Sequence, residues 1–142
     1  MVQNGPEYRR RRGMSLLALA RLAYADGQMA QSSRLYAAGL ELAEQTGDRI
    51  LLLRNLEGAA VMLAPAQPEA ASRTAGAAAR LREQLGATFL PNERERFERG
   101  LAPARDRLGA DLFRLICSEG RLLPLDQVIA ETRQLAQATV PE

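Results

Sequence analysis

Apolar residues recur along most of the chain at intervals of three and four positions, the spacing that gives an α-helix one buried face. Alanine and leucine dominate and β-branched residues are few, which favours helix over strand. Glycine or proline interrupts the pattern repeatedly, at places where helices end or begin. We therefore predict an all-α fold whose seven helices span about residues 14–26, 29–46, 48–63, 68–85, 91–108, 110–118 and 124–137.

Individual residues predict the ends and faces of these helices. Asp48 is the expected N-cap of the third helix, and Gly120 is the expected stop of the sixth. Pro103 lies inside the fifth helix, which it should kink or split because proline lacks the backbone N–H. In the first helix, the stripe expected at helical spacing consists of Leu16, Leu19, Ala20 and Ala23.

The first two predicted helices match part of the 34-residue tetratricopeptide pattern. Leu19-Ala20 fall at its leucine–glycine pair and Gly27 falls at the turn between the helices. Tyr36 takes the aromatic position of the second helix, whereas the tryptophan and the closing proline of the pattern are absent. We therefore expect an antiparallel helix-hairpin array, a tetratricopeptide-like superhelix, with a C-terminal helical extension. A plain antiparallel helical bundle is the alternative, because it too would use alanine where helices approach closely.

A resemblance to a known family rests on four segments: ASR at 71–73, LREQLGA at 81–87, PNERERFER at 91–99 and GRLLPLDQV at 120–128. They look like the C-terminal end of the tetratricopeptide arrays in large bacterial regulators. These regulators are multidomain signalling ATPases and LuxR-type or adenylate-cyclase-linked activators of high-GC bacteria. Residues 10–22 are similar to the start of one such repeat. The resemblance implies a superhelical array that binds a protein partner or a small effector.

The chain departs from that family in two respects. An ATP-binding module needs a glycine-rich loop that ends in Lys-Ser or Lys-Thr, and the chain has no lysine. No helix-turn-helix segment follows residue 137. We therefore expect a fragment of a longer regulator or a stand-alone array, which neither hydrolyses nucleotide nor reads DNA alone. Its expected parts are a basic N-terminal segment (1–13), two tetratricopeptide-like helix pairs (14–86) and a C-terminal helical capping extension (87–142).

The residue types that common catalytic mechanisms need are scarce. The 142 residues include no histidine, so no Ser-His or Cys-His pair exists, and no lysine for a Schiff base. The single cysteine, Cys117, follows Leu115 and Ile116 in an apolar helix, which favours a small buried side chain over a reactive thiol. Glu93 and Glu95 lie on a charged helix face, where local ion pairs with arginine are expected. We predict no enzyme activity, no metal and no cofactor.

Positive charge is concentrated near the N-terminus. All nineteen basic residues are arginine, and four of them form the run Arg9, Arg10, Arg11 and Arg12. The rest of the chain carries fifteen arginines against seventeen acids, a net charge of −2. Arginine without lysine, beside twenty-five alanines, is typical of a GC-rich genome. This bias explains the scattered arginines without nucleic-acid contacts. The alternative function, a nucleic-acid accessory protein that uses Arg9–Arg12 as a phosphate-binding arm, would give weak, salt-sensitive binding at most.

Two features indicate binding surfaces. Tyr24 and Tyr36 fall on neighbouring helices of the first pair, where they would line a concave groove or simply pack between helices. The first helix would lack a preceding repeat to cover it, which leaves a stripe with Leu16, Leu19 and Ala23 exposed. We expect a homodimer or a docked partner there, unless residues 1–12 fold back as a cap.

The chain contains no apolar stretch of the roughly eighteen residues that a membrane-spanning helix needs, and no signal-type segment. A cytoplasmic protein without membrane contact is the expectation. Taken with the missing catalytic residues, the sequence predicts a non-enzymatic protein-interaction or effector-sensing module.

Overall fold

The computed structural model describes residues 5–138, which form seven α-helices and no strand. The prediction of an all-α chain is thereby confirmed. Connections between consecutive helices are short, and a single residue, Gly109, separates the fifth from the sixth. The helices are α1 (Pro6–Ala25), α2 (Met29–Thr46), α3 (Arg49–Leu63), α4 (Pro68–Leu85), α5 (Pro91–Leu108), α6 (Ala110–Leu122) and α7 (Leu125–Gln137).

Capping residues fix several helix ends where the sequence predicts them. The Asp48 side chain accepts a hydrogen bond from the Leu51 backbone N–H at 3.0 Å, as an N-cap residue does. Gly47 and Gly86 end α2 and α4 with φ of 72° and 66°, a conformation that costs glycine little.

Two predicted boundaries are wrong, the start of α1 and the end of α6. Helix α1 begins at Pro6 instead of about residue 14, because a first-turn proline fits a helix start and arginine is a good helix former. Of the two outcomes expected at Pro103, a kink or a split, the split does not occur, since α5 continues from Pro91 to Leu108. Helix α6 runs past Gly120 to Leu122 because that glycine is a packing residue inside the helix.

Small residues allow α4 to lie against four other helices, α3, α5, α6 and α7. Its most extensive contact is with α6, and two glycines permit it. A Cβ at Gly76 would overlap the backbone carbonyl of Cys117, and a Cβ at Gly120 would overlap that of Arg73. The buried residues of α4 are Ala70, Ala71, Ser72, Thr74, Ala75, Gly76, Ala77, Ala78 and Leu81.

Glycine also faces a larger side chain twice between α2 and α3. A Cβ at Gly39 would overlap the Asn55 amide, and a Cβ at Gly58 would overlap the Tyr36 ring. Asn55 is fully buried and its amide nitrogen donates to the Leu51 carbonyl at 2.8 Å. The two contacts are reciprocal, since each helix supplies one glycine and one large side chain, and together they fix how α2 and α3 sit on each other.

Helix α7 returns across α2, α3 and α4. The Ser33 hydroxyl donates to the Ala136 carbonyl at 2.9 Å, which ties the end of α7 to α2. The Thr74 and Thr132 hydroxyls hydrogen-bond to each other at 2.8 Å, which ties α7 to α4. Helix α7 therefore packs against α2, α3 and α4 and is tied to two of them by hydrogen bonds.

The buried face of α1 differs from the predicted stripe. Ala20 and Ala23 are buried as expected, but Leu19 is 51% exposed and Leu16 is half-buried. Leu17 lies in the core in their place, together with Gly13, which packs against Leu51 of α3. The small residues decide this face because only they permit α1 to approach α2 and α3 closely.

Substitution of Gly76 tests whether the α4–α6 approach limits stability. We expect Gly76→Ala to lower the free energy of unfolding by about 2 kcal/mol, since the added methyl meets backbone that cannot move aside, although alanine favours helix by about 1 kcal/mol. Urea denaturation followed by circular dichroism measures the change. The control is Gly100→Ala on α5, where the nearest atoms are the Val61 methyl groups at 2.7 Å on a half-buried side chain. An equal loss of unfolding free energy in both variants would contradict the idea that the α4–α6 approach limits stability.

Candidate functional site

A groove of about 450 Å³ opens where α1, α2 and α3 meet the start of α5 and the connection that precedes it. We call it the tyrosine groove, because Tyr24 and Tyr36 both line it. Both alternatives considered for these side chains are represented, since the two tyrosines line one groove and Tyr36 also packs between α2 and α3. Its lining residues are Arg21, Tyr24, Ala25, Tyr36, Arg54, Glu57, Gly58, Val61, Met62, Phe89, Glu93, Arg96 and Phe97.

Tyr36 forms a fixed part of the groove. Its ring lies on the backbone of Gly58 and the residue is only 6% exposed. Burial raises the pKa of the Tyr36 hydroxyl, while the nearby Arg21 guanidinium lowers it by its charge and by a donated hydrogen bond. The net pKa is raised, so at neutral pH the groove contains a neutral hydroxyl beside a cation.

A largely buried ion pair joins α3 to α4 at the edge of the groove. The Arg82 guanidinium donates to both oxygens of Glu57, with Nη2–Oε1 at 2.7 Å and Nε–Oε2 at 3.0 Å. The side chains are 12% and 13% exposed. Burial raises the pKa of Glu57, and the hydrogen bond and charge of Arg82 oppose that rise. The bidentate geometry satisfies both carboxylate oxygens, so Glu57 has little capacity left for a ligand.

The same guanidinium positions an aromatic wall. Arg82 lies over the Phe89 ring with its central carbon 3.6 Å from the ring centroid, close enough for a cation–π contact. Arg94 approaches that ring at 5.2 Å. Phe89 stacks on Phe97 of α5, with centroids 5.9 Å apart and planes at 26°. The connection before α5 is thereby held against the two earlier helices.

Glu93 is occupied in capping α5. Its Oε1 accepts the Leu90 backbone N–H at 3.0 Å, and Oε2 lies 3.7 Å from an Arg54 nitrogen. The hydrogen bond from Leu90 lowers the pKa of Glu93, with a further lowering from the charges of Arg54, Arg82 and Arg21. Local ion pairing on this helix is also confirmed at Arg99 and Glu95, whose atoms are 2.7 Å apart.

The other predicted site residues lie outside the groove. Leu16 is half-buried and Leu19 points away from the core on α1. Arg9, Arg10, Arg11 and Arg12 lie within α1, where consecutive residues point about 100° apart. The four guanidiniums therefore spread around the helix and do not form one face.

Cys117, metal-ligand groups and membrane-spanning helices are the other features of residues 5–138 that bear on function. Cys117 is half-buried, and burial raises the pKa of its thiol, which keeps it protonated at neutral pH. No group of three His, Cys, Asp or Glu side chains in this part of the chain lies close enough to hold a metal ion. Between Gly5 and Ala138, no helix combines the length and apolar character needed to span a bilayer.

Comparison of the chain with protein families, curated proteins and solved structures finds no match. An assignment of function therefore depends on the site's own geometry.

Sequence patterns did not reveal most of the groove. Arg54, Glu57 and Gly58 occupy adjacent turns of α3, and their spacing alone resembles an ordinary solvent-exposed face. Phe89 lies in the connection between α4 and α5, where helical periodicity carries no information. The one available signal is an aromatic residue in a connection of only five residues, 86–90, which is typical of a side chain that packs against another element.

Loss of the Glu57 carboxylate is expected to destabilise the wall of the groove. We expect Glu57→Ala to cost about 2–4 kcal/mol in the free energy of unfolding, because the Arg82 charge would be left unpaired in a largely buried position. The matched control is Glu131→Ala, which removes a more exposed carboxylate from its pair with Arg73 and should cost less than about 1 kcal/mol. Denaturant unfolding of both variants measures the difference, and equal losses would show that the buried pair does not stabilise the wall.

Proposed function

We propose that the chain is a non-enzymatic binding module, a tetratricopeptide-like helical array that holds a ligand in the tyrosine groove. The observation that carries this proposal is the groove itself, in which four aromatic rings from three helices and a connection meet three arginines. Apolar pockets with a few polar groups are the usual form of ligand sites. The lining residues include no nucleophile with an adjacent base, so binding rather than catalysis fits them best.

The arrangement of α1 to α4 supports the array interpretation. Each of these helices packs on the next, and the short connections are those of consecutive hairpins. Helix α5 continues the series by contacting α3 and α4. A regulatory module of this kind would couple ligand binding to the position of α5, because α5 supplies Phe97, Glu93 and Arg96 to the groove.

Binding of small aromatic compounds tests the proposal. Fluorinated aromatic fragments, screened by fluorine NMR on the full chain, are expected to bind, and Tyr24→Ala should weaken the hits by about tenfold because an aromatic anchor is lost. Tyr8→Ala is the matched control, since Tyr8 is similarly exposed on the same helix but lies outside the groove. The proposal fails if no fragment binds, or if both variants weaken the hits equally.

A second candidate function is self-association through α1. Leu19 and Leu22 are 51% and 59% exposed, and Met14 and Tyr8 of the same helix are exposed as well. Isolated apolar residues are common on surfaces, but four on one terminal helix favour burial against another copy. Ala23 does not belong to this surface, because it packs in the core.

Light scattering after size-exclusion chromatography tests this association. We expect the natural chain to be a dimer, and Leu19→Glu with Leu22→Glu to yield a monomer with unchanged helicity, because two buried charges would prevent the contact. Leu122→Glu, at the exposed end of α6, serves as the control and should remain dimeric. A monomeric natural chain contradicts the candidate.

The nucleic-acid alternative draws less support. Four phosphate contacts would produce a steep salt dependence, and the divergent directions of Arg9–Arg12 on α1 prevent them from following one strand together. We therefore retain the binding module as the proposed function.

A further inference from the structure

The carboxylates of the tyrosine groove have ion-pair partners, whereas some of its arginines do not pair with a carboxylate. Of its two carboxylates, Glu57 is held at both oxygens by Arg82, and Glu93 caps α5 and lies near Arg54. Glu57 is therefore neutralised in place, whereas Glu93 is compensated only in part, because its Arg54 partner lies 3.7 Å away. The cations that remain decide which ligand charge the groove favours.

Two of the lining guanidiniums retain free capacity. Within residues 5–138, neither Arg21 nor Arg96 forms an ion pair with a carboxylate. Arg21 lies near enough to the Tyr36 hydroxyl to lower its pKa, and Arg96 makes a long contact of 3.4 Å from Nε to the Asn92 carbonyl. A guanidinium presents five N–H donors, so both residues keep donors that suit a planar carboxylate.

The walls of the groove suit a flat apolar body. Phe89 and Phe97 are stacked on one side, and the Tyr24 and Tyr36 side chains approach from α1 and α2. Aromatic rings prefer stacked or edge-to-face partners, and a volume of about 450 Å³ is within the range of small-molecule sites. The combination favours one or two fused rings over an extended chain.

We infer that the tyrosine groove binds a small aromatic carboxylate, whose rings lie among the tyrosine and phenylalanine side chains and whose carboxylate pairs with Arg21 and Arg96. This inference rests on the proposed function of the groove and names its ligand class. A single negative charge fits best, because the Glu93 carboxylate inside the groove would repel a second one.

Calorimetric titration of the full chain with matched probes tests the inference. The probes are 2-naphthoate, its uncharged analogue 2-naphthamide, and 1-naphthyl phosphate, which is largely a dianion at pH 7.5. We expect 2-naphthoate to bind about tenfold more tightly than the amide, because only the carboxylate forms charge-assisted hydrogen bonds with the guanidiniums. The phosphate should bind more weakly than the carboxylate.

Variants identify the residues involved. Arg21→Gln and Arg96→Gln should each weaken 2-naphthoate about fivefold or more and leave the amide nearly unchanged, because only the carboxylate uses the guanidinium. Arg99→Gln is the control. Arg99 lies on α5 like Arg96, but it is outside the groove and is paired with Glu95. Circular dichroism of each variant verifies that the fold is kept.

The outcomes separate this inference from the proposed function. Equal affinity for 2-naphthoate and the amide overturns the carboxylate assignment while the groove remains a binding site. Tighter binding of the phosphate overturns the assignment to a single charge. Equal weakening by Arg99→Gln overturns the roles of Arg21 and Arg96. If neither naphthyl compound binds and fluorinated fragments also fail, the proposed function is itself wrong.

Discussion

Small side chains on α4 let the neighbouring helices approach it closely, and the rest of the structure depends on this close packing. Nearly every buried residue of α4 is alanine, glycine, serine or threonine, and Leu81 is the largest. Interhelical distance depends on the side chains at the contact, so a helix with this surface accepts neighbours on several sides. Helices α3, α5, α6 and α7 all use it. The groove follows from this packing, because α4 and α3 together hold α5 and its aromatic side chains opposite the tyrosines of α1 and α2.

Polar groups inside this packing are satisfied locally for the most part. The Ser32 hydroxyl donates to the Ala20 carbonyl at 2.8 Å, and the Ser72 hydroxyl donates to the Pro68 carbonyl at 2.7 Å. Each bond offsets the free-energy cost of burying a hydroxyl, and it needs no additional room between the helices. Asn55 is an exception, since its Oδ1 has no hydrogen-bond partner among residues 5–138. Its fit over Gly39 favours one arrangement of α2 on α3, at the expense of an unsatisfied oxygen.

Periodicity and capping residues predicted the helices well because those features are local. Asp48, Gly47 and Gly86 each act within one turn of their own position, so the sequence near them contains the whole cause. The predicted helix end at Gly120 is wrong because a glycine that ends a helix and one that admits a neighbouring backbone look alike in sequence. The arginine run near the N-terminus likewise looked like a separate arm, although Pro6 indicated a helix start.

The tyrosine groove was predictable only in part for a related reason. Tyr24 and Tyr36 lie on consecutive helices, and a hairpin brings such positions together. Arg82 and Phe89 meet Glu57 through contacts between separate helices and a connection, which no spacing rule specifies. The exposed stripe predicted on α1 is correct at Leu19 and wrong at Ala23, because Gly13 and the alanines determine which side approaches α2. The hydrogen bond from Ser33 to Ala136 joins positions 103 residues apart and so affects how the chain acquires its structure. In an open solenoid, order spreads from one repeat to the next and the ends fray independently. Here α2 completes its surroundings only after α7 exists, so the residues from Ser33 to Ala136 must all be synthesised before the interior closes. Contacts between distant parts of a chain slow folding and couple its segments, which favours loss of structure in one cooperative step.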